Sequence, residues 1–327
     1  MMKKVINRWI FLVILILIIQ ISATLPEWKL VFEDQHYLSE GILQVLTSDL
    51  DNDQRDEFVL VGKNDMGREI FLYWLTVNAN HQPVLQWQSA NLYEDHSTLW
   101  AVTGRFTASQ NQLLAISNSQ YYLYQIENNH VDLIKQAKHT LQPLNVACGD
   151  VDGDGQSEVI VAKVGQITAK SYNGLVQVWK FNDGNLHLLA ESALMGNIRG
   201  VVAGDLNQDG RAEIVVEEGP KFAAGNLHVL NFSDQKLTEV YSLKKATKGP
   251  AYGMQIKNSS GSSQLIIGTA TGFIGFFQWA NNALVPTAKE IDLRRDIMSV
   301  TAIDNPDTHL PELVIGGYPQ DLLILAP

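Results

Sequence analysis

The segment GDVDGDGQSEVIVA (residues 149–162) sets acidic residues at alternate positions of a turn and then runs directly into an apolar strand. Two other segments, SDLDNDQRDEFVLVG from residue 48 and GDLNQDGRAEIVVE from residue 204, have the same pattern. In each loop an acid or amide occupies positions 1, 3 and 5, and a glutamate occupies position 9. Recurrence at one register to a following strand indicates a repeat protein.

These three loops and a fourth, incomplete one define the length of the repeat. The fourth, IDNPDTHLPELVIGG, keeps only Asp304 and Glu312 of the pattern. The first aspartates stand at 49, 150, 205 and 304, so the gaps are 101, 55 and 99 residues. Each long gap accommodates one further unit, and five steps over 255 residues give a mean period of 51. A period in this range is typical of arrays and propellers.

The unit from residue 145 contains four short apolar runs separated by Gly, Asn and Asp, namely NVACGD, EVIVAK, GLVQVWKF and NLHLLAES. The other units have room for the same pattern. Four-stranded sheets repeated around an axis form a β-propeller. The last unit is one strand short, and EWKLVFED suggests that residues 27–33 close the ring as its fourth strand. We therefore predict an all-β, six-bladed β-propeller over residues 25–327, with repeats near 41–92, 98–140, 144–192, 197–243, 250–292 and 296–327.

The first 24 residues form a targeting segment. A basic start precedes an apolar run from Trp9 to Ile19, and Ser22 and Ala23 supply small residues for cleavage, as in a signal peptide. The alternative is an uncleaved membrane anchor through residues 9–25, since the run extends to about the 20 residues of a membrane span. Both alternatives predict a body outside the cytoplasm, either extracellular or in the cell envelope.

Charge and cysteine content exclude other classes. The formal net charge of -11 is unfavourable for binding nucleic acid, so we expect no nucleic-acid partner. Cys148 is the single cysteine, which excludes an intrachain disulfide framework. Its apolar neighbours predict a small core residue.

The acidic loops suit a hard divalent cation. Carboxylates at alternate positions of a tight turn converge on one point, and Ca²⁺ binds six to eight oxygen ligands. An EF-hand would need a glutamate at position 12, but Leu60, Val161 and Val216 stand there. We predict Ca²⁺ in all three loops, with position 7 contributing a backbone carbonyl. The predicted ligands are Asp49, Asp51, Asp53, Arg55, Glu57, Asp150, Asp152, Asp154, Gln156, Glu158, Asp205, Asn207, Asp209, Arg211 and Glu213.

These loops resemble the calcium loops of FG-GAP/VCBS-type repeats, which occur in integrin α-subunit heads and many bacterial surface propellers. The resemblance covers about residues 27–327 at the level of repeat and loop. It implies a structural Ca²⁺ between the first two strands of a blade. Gly155 and Gly210 supply the glycine of position 6, whereas Gln54 replaces it in the first loop and makes that site the weakest of the three. The family's phenylalanine-glycine and glycine-alanine-proline marks are not intact.

The face opposite the acidic loops collects basic and aromatic residues. We expect a glycan or protein ligand to bind there, beside the mouth of the central channel. The candidate residues are Trp100, Asn145, Arg199, Lys221, Lys244, Lys245, Tyr252, Arg294 and Arg295.

Two classes of function remain open. The first is a calcium-binding, non-enzymatic module, secreted or membrane-tethered, that binds a glycan or a protein; propellers of similar type act as lectins, adhesion heads and scaffolds. The second is a polysaccharide-active enzyme, a lyase or hydrolase, since some carbohydrate lyases share this repeat. The sequence contains no GxSxG or HExxH motif. The first class is therefore preferred.

Overall fold

Runs of β-branched, aromatic and aliphatic residues form short strands along the chain, because such side chains pack well on a pleated, half-buried surface. The computed structural model describes residues 28–34, 41–53, 55–64, 68–94, 98–107, 110–127, 130–167, 172–220, 223–259, 262–304, 311–317 and 321–327. The strands of blades one to three are β2 (Gly41–Ser48), β3 (Glu57–Asn64), β4 (Glu69–Val77), β5 (Pro83–Gln88), β6 (Trp100–Gly104), β7 (Gln112–Ile116), β8 (Gln120–Glu127), β9 (His130–Lys138), β10 (Pro143–Gly149), β11 (Glu158–Ile167), β12 (Tyr172–Asn182) and β13 (Asn185–Glu191). The strands of blades four to six are β14 (Ile198–Gly204), β15 (Glu213–Glu218), β16 (Asn226–Ser233), β17 (Lys236–Leu243), β18 (Ala251–Ser259), β19 (Ser262–Thr269), β20 (Phe273–Ala280), β21 (Ala283–Pro286), β22 (Ile291–Asp292), β23 (Ile297–Asp304), β24 (Pro311–Gly317), β25 (Leu322–Ala326) and β1 (Lys29–Asp34).

Successive strands of each blade pair antiparallel, so sheet order follows chain order in blades one to five. In blade five the two-residue strand β22 also pairs with β20. The predicted all-β ring of six four-stranded blades is therefore confirmed.

The ring is closed by the N-terminal strand. β1 pairs antiparallel with β25, from Lys29 opposite Ala326 to Asp34 opposite Leu322, in a sheet of order β1-β25-β24-β23. Arg295 reinforces this junction, because its Nη1 lies 2.8 Å from Glu33 Oε1 and 3.4 Å from Asp321 Oδ2. The prediction that the segment before the first repeat completes blade six is confirmed.

The apolar core lies between neighbouring blades. In β3, Phe58 and Leu60 pack toward blade six, while the alternate residues Val59 and Val61 pack toward blade two. The same alternation produces one apolar cluster at each of the six interfaces. This arrangement requires the second strand of each blade to be apolar on both faces.

The innermost strands (β2, β6, β10, β14, β18 and β23) line a central channel. Five of the six contain a β-bulge at one register near their start, such as that between Ile42 and Gln44. Side-chain amides join neighbouring inner strands: Gln44 Nε2 donates to Ala101 O at 2.9 Å. All six strands begin at one mouth of the channel, and the acidic loops follow their far ends. The acidic loops and the strand starts are therefore on opposite faces.

The predicted targeting segment lies outside the described residues, as do Gln54 and Lys221. In the part of the chain that the structure describes, no helix is both long and apolar enough to span a membrane.

Candidate metal sites and central channel

The acidic loops of blades one, three and four, here loop one (49–57), loop three (150–158) and loop four (205–213), share a buried glutamate. Glu57, Glu158 and Glu213 begin the second strand of their blades and are at most 3 % exposed. In each, Oε2 accepts the backbone N–H of the second loop residue, at distances of 2.9, 3.0 and 2.9 Å. The glutamate therefore holds the turn closed in the same way three times.

The turn requires left-handed backbone at two positions. At position 6, Gly155 and Gly210 have φ of +90° and +88°, as the sequence predicts. Position 4 is also left-handed, with φ of 62° at Asn52, 77° at Gly153 and 63° at Gln208. Sequence reasoning missed this second requirement, although Asn and Gly are residues that adopt such backbone readily.

The first aspartate of loops three and four collects backbone N–H groups. Asp150 Oδ1 accepts from Gly153 and Asp154 at 2.7 and 3.1 Å, and its Oδ2 accepts from Gly155 at 2.8 Å. Asp205 accepts the equivalent bonds in loop four at 3.1 and 3.0 Å. Loops three and four are thus ordered by their own hydrogen bonds.

Loop one fits a divalent cation. Ligand atoms of Asp49, Asp51 and Asp53 lie within 4.8 Å of one another. A cavity of about 310 Å³ adjoins them and is lined by Asp51, Asp53, Glu57 and Thr76. Burial raises the pKa of Glu57 to about 8, although the N–H of Leu50 acts in the opposite direction. Uncompensated negative charge in this loop is therefore costly.

Loop three brings Asp150, Asp152 and Glu158 within the same 4.8 Å. Here, however, the cation position holds an ammonium. Lys180 of β12 places Nζ 2.7 Å from Asp152 Oδ2, 2.7 Å from Asp154 Oδ2 and 2.9 Å from Glu158 Oε1. The donor set that would bind Ca²⁺ is already engaged by a residue of the chain.

Loop four has an uncharged group at its centre. Asn207 donates from Nδ2 to Asp209 Oδ2 at 3.1 Å and to Glu213 Oε1 at 2.8 Å. Burial raises the pKa of Glu213 to about 7, although hydrogen bonds from the N–H groups of Leu206 and Asn207 act to lower it. The residues that would hold a cation are Asp205, Asp209 and Glu213, with the amide oxygen of Asn207. This is the ligand chemistry that Ca²⁺ prefers.

Blades two and six keep a buried polar residue at the register of the glutamate. In blade two, buried Gln112 accepts the N–H of Thr107 at 2.9 Å. In blade six, fully buried Glu312 contacts Nδ1 of His81 from blade one at 2.6 Å. Asp304, the other retained acid of blade six, pairs with Lys257 at 3.0 Å. Sequence reasoning missed the contacts of Glu312 and Asp304, because His81 and Lys257 belong to other blades.

Each acidic loop is also tied to the following blade through the carbonyl of its first aspartate. Asp49 O accepts from Asn111 Nδ2 at 2.8 Å, Asp150 O from the N–H of Ala212 at 2.7 Å, and Asp205 O from Ser263 Oγ at 2.6 Å. An ion that stiffens a loop would therefore stiffen the contact between two blades.

The channel holds a cavity of about 220 Å³ bounded by all six inner strands. Three of the predicted ligand-face residues, Trp100, Asn145 and Tyr252, line it. They stand near the starts of β6, β10 and β18, at the mouth opposite the acidic loops. The lining also includes Gln44 and Gln255, so the cavity is partly aromatic and partly amide.

The predicted basic residues of that face do not join the cavity lining in the part of the chain described. Arg199 Nη1 lies 3.3 Å from Tyr172 Oη, with the guanidinium 5.8 Å from the ring centre. Lys244 and Lys245 line a separate cavity with Glu290. Arg294 lies in a turn with φ of 55°. Arg295 is held by two acids, Glu33 and Asp321, at the ring closure.

Cys148 faces the channel but is not a nucleophile. Burial raises the pKa of its thiol to about 12, and Sγ donates to Thr103 O at 3.0 Å. The thiol therefore stays protonated and serves as a small hydrogen-bonded side chain between blades two and three.

A family model of FG-GAP-like repeats matches residues 150–216. The matched region runs from the first aspartate of loop three into the second strand of blade four, and so contains two of the three acidic loops. No curated protein matches the chain.

Proposed function

We propose that this chain, an FG-GAP β-propeller, is a calcium-binding, non-enzymatic module that binds a glycan at its central channel outside the cytoplasm. The FG-GAP-like repeat match and the six-bladed ring support the family. The N-terminal basic and apolar segment supports secretion or tethering at the cell surface. FG-GAP proteins are typically extracellular, where calcium is plentiful.

We assign the calcium ions to loops one and four. In loop one the ligand atoms of Asp49, Asp51 and Asp53 lie within 4.8 Å of one another, and in loop four Asn207 contacts both Asp209 and Glu213. The glutamates of both loops are buried. A bound Ca²⁺ would supply the positive charge that these corners need. The residues of the chain supply the closed turn and its hydrogen bond to the next blade. The expected role of the ion is therefore structural.

The observation that supports ligand binding is the make-up of the channel mouth. Trp100 lines the cavity with its indole side chain, while its Nε1–H is buried. Tyr252 adds a second aromatic side chain to the same cavity. A glycan combines hydroxyl groups with apolar ring faces, which suits a lining of aromatic rings and amides. A protein partner remains an outcome of the test below.

The test is a glycan-array screen of the secreted body, followed by titration of hits with matched variants. Trp100→Phe reduces the aromatic surface that lines the cavity and should weaken binding. The control Trp87→Phe, on outer strand β5, should leave binding unchanged. Binding to no glycan, or equal binding by both variants, would overturn the glycan assignment. Capture of a protein without glycan binding would replace it.

The enzymatic alternative is tested in parallel. Acidic polysaccharides are incubated with the protein, and absorbance of unsaturated ends and reducing sugar are followed. We expect neither to rise above a heat-denatured control. Cleavage that depends on the folded protein would contradict the non-enzymatic assignment.

A further inference from the structure

We infer that Lys180 is the built-in cation of loop three, so that this corner of the ring is complete without metal. The inference concerns the occupancy of one loop. Its contrast with loops one and four rests on the proposed calcium binding there.

The ammonium contacts three of the four acids of the loop. A lysine has three N–H donors, and Nζ of Lys180 has three carboxylate oxygens at 2.7, 2.7 and 2.9 Å. These are distances of charge-assisted hydrogen bonds. The fourth acid, Asp150, already accepts backbone N–H groups at both oxygens. Every acid of the pattern therefore has partners within the chain.

The ammonium and a metal ion are mutually exclusive. Ca²⁺ needs six to eight oxygens at about 2.3–2.6 Å, and the available ones include those that Lys180 contacts. A second cationic side chain approaches from loop four, because a Cβ at Gly153 would lie 3.1 Å from Arg211 Nε. Three carboxylates surround Nζ of Lys180 at 2.7, 2.7 and 2.9 Å, and such an environment favours a charged ammonium.

The register of the third strand explains why only one of the three loops is filled in this way. In each of these blades, the third-strand residue that follows the last pair with the second strand lies across from the buried glutamate. This residue is Thr76 in blade one, Lys180 in blade three and Asn231 in blade four. Thr76 is short and borders the loop-one cavity. Asn231 is uncharged. Of these three positions, only blade three carries a cation that reaches its loop.

The test exchanges the residues at this register and counts bound Ca²⁺ by calorimetry and equilibrium dialysis. Lys180→Thr copies blade one and should add one Ca²⁺ per chain to the wild-type count. Thr76→Lys copies blade three and should remove one. A wild-type count of two with these changes supports the whole scheme. A wild-type count of zero that rises to one in Lys180→Thr refutes calcium in loops one and four but supports the role of Lys180.

A count that does not rise in folded Lys180→Thr would overturn the inference. Circular dichroism in millimolar calcium identifies folded protein. A second measurement uses the wild type alone. Lysines are methylated reductively in chelator and in calcium, and mass spectrometry follows the rate at each lysine. We expect Lys180 to react slowly under both conditions, with exposed Lys236 as the internal control. Methylation of Lys180 that accelerates in calcium would show displacement by the ion and would also overturn the inference.

Discussion

Glu217 offers a test of the blade interface through the pH dependence of stability. It lies on β15, is 0 % exposed and faces blade five, where Thr247 Oγ1 donates to Oε1 at 3.4 Å. Gly225 packs so closely that an added Cβ would overlap the carboxyl group. Burial raises the pKa of Glu217 to about 8, although the N–H of Ala251 opposes the rise.

The pH dependence of stability follows from the protonation state of Glu217 in the folded and unfolded protein. The folded protein keeps the Glu217 proton up to about pH 8, whereas the unfolded chain loses it near the ordinary glutamate pKa of 4.5. The stabilising contribution is therefore fully present below the unfolded pKa and is lost as pH rises toward the folded pKa. The slope is about 1.4 kcal/mol per pH unit, so roughly 3 kcal/mol is lost between about pH 5.5 and 7.5.

The variant Glu217→Gln keeps the shape of the protonated acid and does not titrate. Its free energy of unfolding relative to the wild type should rise by about 3 kcal/mol between about pH 5.5 and 7.5. Urea denaturation in millimolar calcium measures both proteins at each pH. Glu127→Gln, an exposed site at the end of β8, is the control and should track the wild type. A constant difference between Glu217→Gln and the wild type would refute the reasoning.

Two further predictions concern packing and the repeated hydrogen bond. Phe58→Ala, at a 0 % exposed position between blades six and one, should lower the free energy of unfolding by about 3–5 kcal/mol, whereas exposed Val84→Ala should change it by under about 0.5 kcal/mol. Urea denaturation that finds equal losses would contradict the assigned core. Gln112→Leu leaves the Thr107 N–H without its partner at 2.9 Å and should cost about 1–3 kcal/mol. If Gln112→Leu lowers the free energy of unfolding by less than about 0.5 kcal/mol, as at an exposed site, this hydrogen bond does not hold the blade-two turn.

The sequence predicted the features that depend on local pattern. Alternate acids at one register revealed the repeat, and the repeat length gave six blades. The missing last strand of blade six led to β1, because an open sheet edge must find a partner. The glycines of position 6 in loops three and four predicted the left-handed turns. Each of these inferences needs only neighbouring residues and the period.

The sequence did not reveal which partners meet across blades. His81 contacts Glu312 from 231 positions away, so spacing along the chain gave no signal. Lys180 follows loop three within the same blade, yet its contact with the carboxylates depends on how the second and third strands pair. Aligning third strands by register, as well as loops, would have exposed its difference from Thr76. The predicted basic ligand face stays a prediction.

Thermal melting with and without chelator tests the central claim most directly. That claim is a closed six-bladed ring with Ca²⁺ at loops one and four. At about 1 mM calcium and a dissociation constant near 0.1 mM, two sites contribute about 3 kcal/mol. With about 2.1 cal/mol/K of unfolding entropy per residue over roughly 300 residues, chelation should lower Tm by about 4 °C. Identical melting in calcium and in chelator, with no calorimetric heat of calcium binding, would contradict the account.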